Sequence, residues 1–255
     1  MGISLTAKKS ITGAVGAVLL LVAAGGAVSA AESGGWHNEI TIYGWLTDIG
    51  GTTRFSDINN NDISVDVSDI IANLNMVLMG NYVGKTGRWS IIGDLVYVNL
   101  SDSSTTDTAL GGAAINLDIT SWLLTGAVGY DLIQSDQVLV AAVAGVRYID
   151  VQTDATLSLN GARLADASES EGVTDGIIGL RGEFMLGEHW FIPYYADAGT
   201  GGTDVSYQLF GGVGYRFGWG DVRLGYRYLD LDFSDDKLLQ DLNMGGPVLG
   251  VGFRF

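Results

Sequence analysis

The sequence contains two histidines and no cysteine, which leaves few groups able to run a reaction near neutral pH. Hydrolytic and acyl-transfer sites usually set a histidine or a thiolate beside a carboxylate or hydroxyl. His37 immediately precedes the first predicted strand, and His189 falls in a short predicted turn, so neither is placed for such a constellation. The acid pairs Asp235-Asp236 and Asp230/Asp232 have no histidine nearby and read as a solvated acidic edge. Asp57, Asn59 and Asn61 have the opening spacing of a calcium loop. That match then fails, because Asp62 stands where glycine is required and Ser68 where a bidentate glutamate is required. A turn rich in Asn and Asp explains the segment more simply. The sequence therefore predicts no catalytic residue, no cofactor and no metal site, and the expected answer to whether this is an enzyme is no.

The other chemistry-bearing residues are arginines, and their meaning depends on the strands that carry them. In the last nine residues, Leu249, Val251, Phe253 and Phe255 share one parity, while Val248, Gly250, Gly252 and Arg254 share the other. Period-two alternation predicts a strand with one apolar face. This ending resembles the carboxyl-terminal assembly signal of bacterial outer-membrane barrels. At the other end, Lys8 and Lys9 precede an apolar stretch from Ile11 to Val28 and then Ser29-Ala30-Ala31. That order predicts a secretory signal peptide over residues 1–30, leaving residues 31–255 as a single barrel domain. Without Lys8 and Lys9 the remainder carries 11 basic and 29 acidic residues, a net charge of −18, which excludes nucleic acid as a partner. The mean hydropathy is positive, yet no segment beyond the signal is long and apolar enough for a spanning helix, a combination expected of a barrel.

The pattern predicts an all-β, antiparallel transmembrane barrel of about ten strands, with eight or twelve as alternatives. The predicted strands cover residues 38–46, 75–83, 89–100, 114–131, 138–157, 173–186, 190–198, 205–217, 222–233 and 243–255. Short turns after the second, fourth, sixth and eighth strands mark the periplasmic side, and the longer acidic links are extracellular. The first loop, 47–74, reads as irregular, with a short helix over Ser68–Leu74 capped by Ser68. Trp89 and Tyr97 share a face, as do Tyr207 and Tyr215. Eight residues of tilted strand rise roughly 20 Å, the separation expected of two aromatic girdles.

If the apolar parity faces lipid, the opposite parity turns Arg147, Arg181, Arg216, Arg223, Arg227 and Arg254 into the lumen. Glu39, Asp94, Asp175, Glu183 and Asp197 follow them. Each arginine facing hydrocarbon near mid-depth would cost about 2–4 kcal/mol, which enforces this parity. The lumen is then either filled by a network of guanidinium forks and carboxylates or is a narrow selective channel.

Ile42-Tyr43-Gly44-Trp45-Leu46, Val65 to Ile71, Gly87-Arg88-Trp89 with Gly93-Asp94-Leu95, Gly145-Val146-Arg147-Tyr148, Gly179-Leu180-Arg181-Gly182, Gly225 to Asp230 and Gly250 to Phe255 recur in order. Together they resemble an uncharacterised family of Gram-negative outer-membrane β-barrel proteins, porin-like or opacity-like. The resemblance implies the outer membrane as location, with its lipid and lipopolysaccharide as surroundings. It also implies delivery by the barrel assembly machinery through the strand ending at Phe255. The expected function is a passive narrow pore or a structural envelope protein. A surface binding or adhesion module using acidic extracellular loops is the alternative, and an outer-rim hydrolase comes last. The sequence does not decide the oligomeric state.

Overall fold

The computed structural model describes residues 35–55, 58–65, 74–108, 111–159, 162–233 and 239–255, and all its regular structure is β-strand. In chain order the strands are β1 (His37–Trp45), β2 (Asp48–Phe55), β3 (Ile58–Val65), β4 (Leu74–Thr86), β5 (Trp89–Thr108) and β6 (Gly111–Gln134). They continue as β7 (Val138–Leu159), β8 (Ala162–Leu186), β9 (Trp190–Gly201), β10 (Val205–Arg216), β11 (Gly220–Asp232) and β12 (Leu239–Arg254). Ten of them, β1 and β4 to β12, pair antiparallel with their neighbours, and β12 returns to β1 to close the ring. Closure of the ring leaves no edge strand among the ten, the condition a sheet must meet in hydrocarbon. At the seam, Glu39 lies opposite Arg254 and Trp45 opposite Val248.

The short turns of the sequence reading lie at one end, joining β4–β5, β6–β7, β8–β9 and β10–β11. Two of them need a left-handed residue and have glycine there, Gly87 at φ +57° and Gly187 at φ +92°. By the general rule for such barrels this end is periplasmic. An aromatic chain runs around its outside: Trp190 meets Tyr215 at 5.0 Å, Tyr215 meets Phe217 at 4.8 Å, Phe217 stacks on Trp219 at 5.5 Å and Trp219 reaches Phe253 at 5.6 Å. A second tier lies nearer the other end, with Tyr97 against Trp122 at 4.4 Å and Tyr207 against Tyr228 at 5.9 Å. Between the tiers the wall exposes Ile42, Ile91, Val128, Val146, Ile178, Leu180, Leu224 and Leu249. A water-soluble surface does not carry so continuous an apolar belt.

Several expectations need correction. The first loop is not irregular: β2 and β3 form a hairpin within it. The hairpin does not widen the ring to twelve strands, because β2 pairs with the outer half of β12, directly beyond β1. Leu74 opens β4 rather than ending a helix, and the rest of the predicted helix lies outside the described residues. Asn59 and Asn61 are strand residues of β3 rather than turn residues, and Asp57 lies outside the described residues. The predicted links 101–113 and 158–172 are largely strand. β5 to β8 run 20, 24, 22 and 25 residues, against 12 each for β9 and β10, so a four-stranded sheet rises beyond the membrane on one side. The predicted signal peptide also lies outside the described residues.

One place in the wall has a thinner ladder. The β1–β4 ladder runs from His37↔Lys85 and ends at Ile42↔Gly80, and Leu74 to Met79 pair with β5 alone among the described residues. There the Trp45 amide donates to the Met79 sulfur at 3.2 Å.

Candidate functional site in the barrel lumen

Strand pleating sends every second residue inward, and the inward set divides by height. Nearest the short turns it forms a polar vestibule of about 560 Å³. Its walls carry Glu39, Tyr43, Asn81, Lys85, Asp94, Arg181, Glu183, Arg216, Arg223, Arg227 and Arg254, with His37 at the mouth. Apolar patches from Val83, Ile92, Leu139, Pro193 and Phe210 interrupt them.

The charges are paired with few exceptions. Glu39 on β1 accepts from Arg223 and, at 3.0 Å, from the Arg254 Nε. Asp221 accepts from the same two arginines, each at 2.5 Å. Arg216 holds Glu183, and Lys85 holds Asp131 at 2.5 Å. Phe191, fully buried, lies beneath this cluster with the Arg216 guanidinium 4.8 Å and that of Arg223 5.6 Å from its ring centre. Gly214 makes room for it, since a Cβ at that position would lie 2.3 Å from the Phe191 ring. Stacking on a ring together with forked hydrogen bonds suits arginine better than lysine.

Deeper in, Arg227 closes the vestibule. It donates to the Tyr43 hydroxyl at 2.7 Å, to Gln208 at 2.8 Å and to Asp94 at 3.0 Å. Its guanidinium also lies 4.7 Å from the Trp45 ring centre. Beside it, Arg147 pairs with Asp197, both side chains wholly out of solvent. Beyond this level the lumen becomes apolar. Trp45, Met79, Val96, Leu123, Ile149, Val173, Leu229, Leu231, Phe233 and Val248 pack into one buried cluster, with Leu229 and Leu231 at 0% exposure. It lies at the height of the outer aromatic tier and above, toward the end opposite the short turns.

Of the residues expected in the lumen, Glu39, Asp94, Arg181, Glu183, Arg216, Arg223, Arg227 and Arg254 line the vestibule. Arg147 and Asp197 are buried at the border with the apolar layer. Asp175 joins none of the arginine pairs; it accepts from the Thr203 amide at 2.9 Å and its hydroxyl at 2.7 Å, holding the β9–β10 turn. Asp221, Asp131 and Lys85 fall at turns or strand ends in the sequence pattern and so escape it, although each shares the inward parity of its strand. The sequence pattern also misses the apolar layer. The available signal was a reversal of parity: on β11 the outward residues change from Tyr226 and Tyr228 to Asp230 and Asp232 while the inward ones become Leu229 and Leu231. Both histidines lie at the short-turn end, His37 opening β1 and His189 packed edge-on against Tyr215 at 5.3 Å.

No protein-family model matches the chain, and no curated protein matches it either. Among solved structures, the outer membrane protease OmpT from Escherichia coli is similar with a TM-score of 0.50 and 9% identity, over 89% of this chain and 99% of that chain. The fold is that of Gram-negative outer-membrane β-barrels. The translocator domain of the autotransporter NalP from Neisseria meningitidis has a TM-score of 0.44 and 15% identity, over 94% of this chain and 95% of its own. The attachment invasion locus protein Ail of Yersinia pestis has a TM-score of 0.38 and 12% identity, over 88% and 100%. At these identities the likeness carries the fold alone. A protease and an attachment protein among the matches lend this chain neither activity.

Proposed function

We propose that this protein is a non-catalytic outer-membrane barrel, a structural envelope element whose polar vestibule faces the periplasm and whose outer mouth is shut. The apolar layer carries this reading. Ten buried side chains fill the lumen at the outer end, and an ion reaching them would lose its hydration with nothing to replace it. The vestibule charges are arranged for stability, with Glu39 and Asp221 each shared between Arg223 and Arg254 and Glu183, Asp131 and Asp94 each held by one cation from another strand. A hydrolytic role has no support in the placement of the histidines, both at the end opposite the outer rim.

Planar-bilayer recording tests this. The native protein should be electrically silent, while Leu229→Ser combined with Leu231→Ser should produce discrete current steps. A native protein that conducts steadily, at the level of that variant, overturns the shut-mouth reading in favour of a standing pore.

The height of β5 to β8 favours a second reading, surface binding. The raised sheet exposes Asp118, Gln152 and Asp166, and residues 162–173 of β8 pair with β7 on one edge but with no strand on the other among the described residues. Such an acidic sheet with a free edge suits a basic extended peptide. Trimming both hairpins, 102–111 and 154–166, should abolish salt-sensitive capture of a lysine-rich peptide; capture that persists counts against it.

A further inference from the structure

Five cations of the vestibule each hold a carboxylate: Lys85, Arg216, Arg223, Arg227 and Arg254 share Asp131, Glu183, Glu39, Asp221 and Asp94. Arg181 is the sixth, and it makes no ion pair or hydrogen bond with any described residue. It lies near the short-turn end of β8, opposite Ala141 on one side and Tyr195 on the other, neither offering an acid. The residue is half-buried and lines the vestibule. The nearby acids Glu39, Glu183 and Asp131 are already committed to other cations. A cation enclosed by protein and left without a partner is costly unless a ligand supplies the opposite charge.

We propose that the vestibule binds a small amphiphilic carboxylate, its two oxygens forked on Arg181. The planar guanidinium matches a carboxylate in bidentate fashion. The apolar wall formed by Val83, Ile92, Leu139 and Pro193 accepts a short aliphatic or aromatic body. A cavity of about 560 Å³ with one free charge and mixed walls has the size and character of a small-molecule site. The anion enters from the short-turn mouth because the apolar layer shuts the other; only this route rests on the function proposed above. Binding itself is measured in detergent solution, where both mouths face water, so the two ideas fail separately.

The experiment is calorimetric titration of the folded full-length protein in low-salt zwitterionic buffer, with benzoate and with inorganic phosphate as probes. Benzoate should bind and phosphate more weakly. Arg181→Gln should raise the benzoate dissociation constant at least tenfold, and Arg181→Lys, which keeps the charge but loses the fork, by less. Arg163→Gln, on the exposed β7–β8 hairpin, should leave it unchanged. Heat-modifiable gel mobility confirms that each variant is folded. The proposal is overturned if native protein takes up no benzoate, if Arg181→Gln binds it as well as native, or if phosphate binds as tightly.

Discussion

The two halves of the lumen share one wall, one pleat and one set of strands, yet they are built from opposite materials. The half near the short turns holds forks and carboxylates around a wet cavity, and the outer half holds a dry apolar cluster. The difference follows from what lies outside. Within the bilayer the outward parity must be apolar, so the inward parity can afford charge only where charges meet. Above the outer aromatic tier the strands stand in water and the roles invert: Asp230 and Asp232 face out while Leu229, Leu231 and Phe233 turn in. A transmembrane barrel thus carries a small soluble-type core on top of a polar one.

The comparison breaks most readily at the border. Asp197→Ala strands the Arg147 guanidinium, 0% exposed, without its carboxylate. The expected loss is about 3–5 kcal/mol, read from urea unfolding of the protein in lipid. Arg147→Met with Asp197→Leu should recover most of it. A single variant no worse than Glu183→Ala would mean that the border is as wet as the vestibule. Within the dry half, Leu229→Ala should cost roughly 2–5 kcal/mol by opening a cavity that does not collapse, with a smaller effect if water fills it. Gly214→Ala drives a methyl to within 2.3 Å of the Phe191 ring, so rearrangement under the arginine pair should cost about 1–3 kcal/mol in the same assay. The smallest effect belongs to the wet rim. Arg254→Ala removes a side chain 38% exposed, and a loss of under about 1 kcal/mol, diminished further by salt, is expected. A large, salt-insensitive loss there would erase the contrast between the halves.

The polar half was legible in the sequence because membrane and parity act together: each arginine on a strand with lipid-facing Leu or Tyr neighbours can point only one way. The short turns were legible from Gly87 and Gly187, and the girdles from pairs such as Trp89 and Tyr97. The apolar layer was not, because leucines at both parities of a strand do not declare a face once the strand leaves the bilayer. The heights of β5 to β8 were hidden for a related reason. Ser, Thr and Asp dominate 101–108, and a polar strand carries no hydrophobic period to separate it from a loop. The unpaired state of Arg181 was also out of reach, since parity places a side chain in the lumen but does not choose its partner.

Glu39 has a consequence for how the ring is made. It belongs to the first strand and is gripped by Arg223 and Arg254, 184 and 215 residues later in the chain. A slip of one residue between the first and last strands would turn Arg254 toward the hydrocarbon and leave the glutamate's other side bare. The cylinder's closure is thereby keyed to one alignment, and its nearest misfit forfeits these ion pairs.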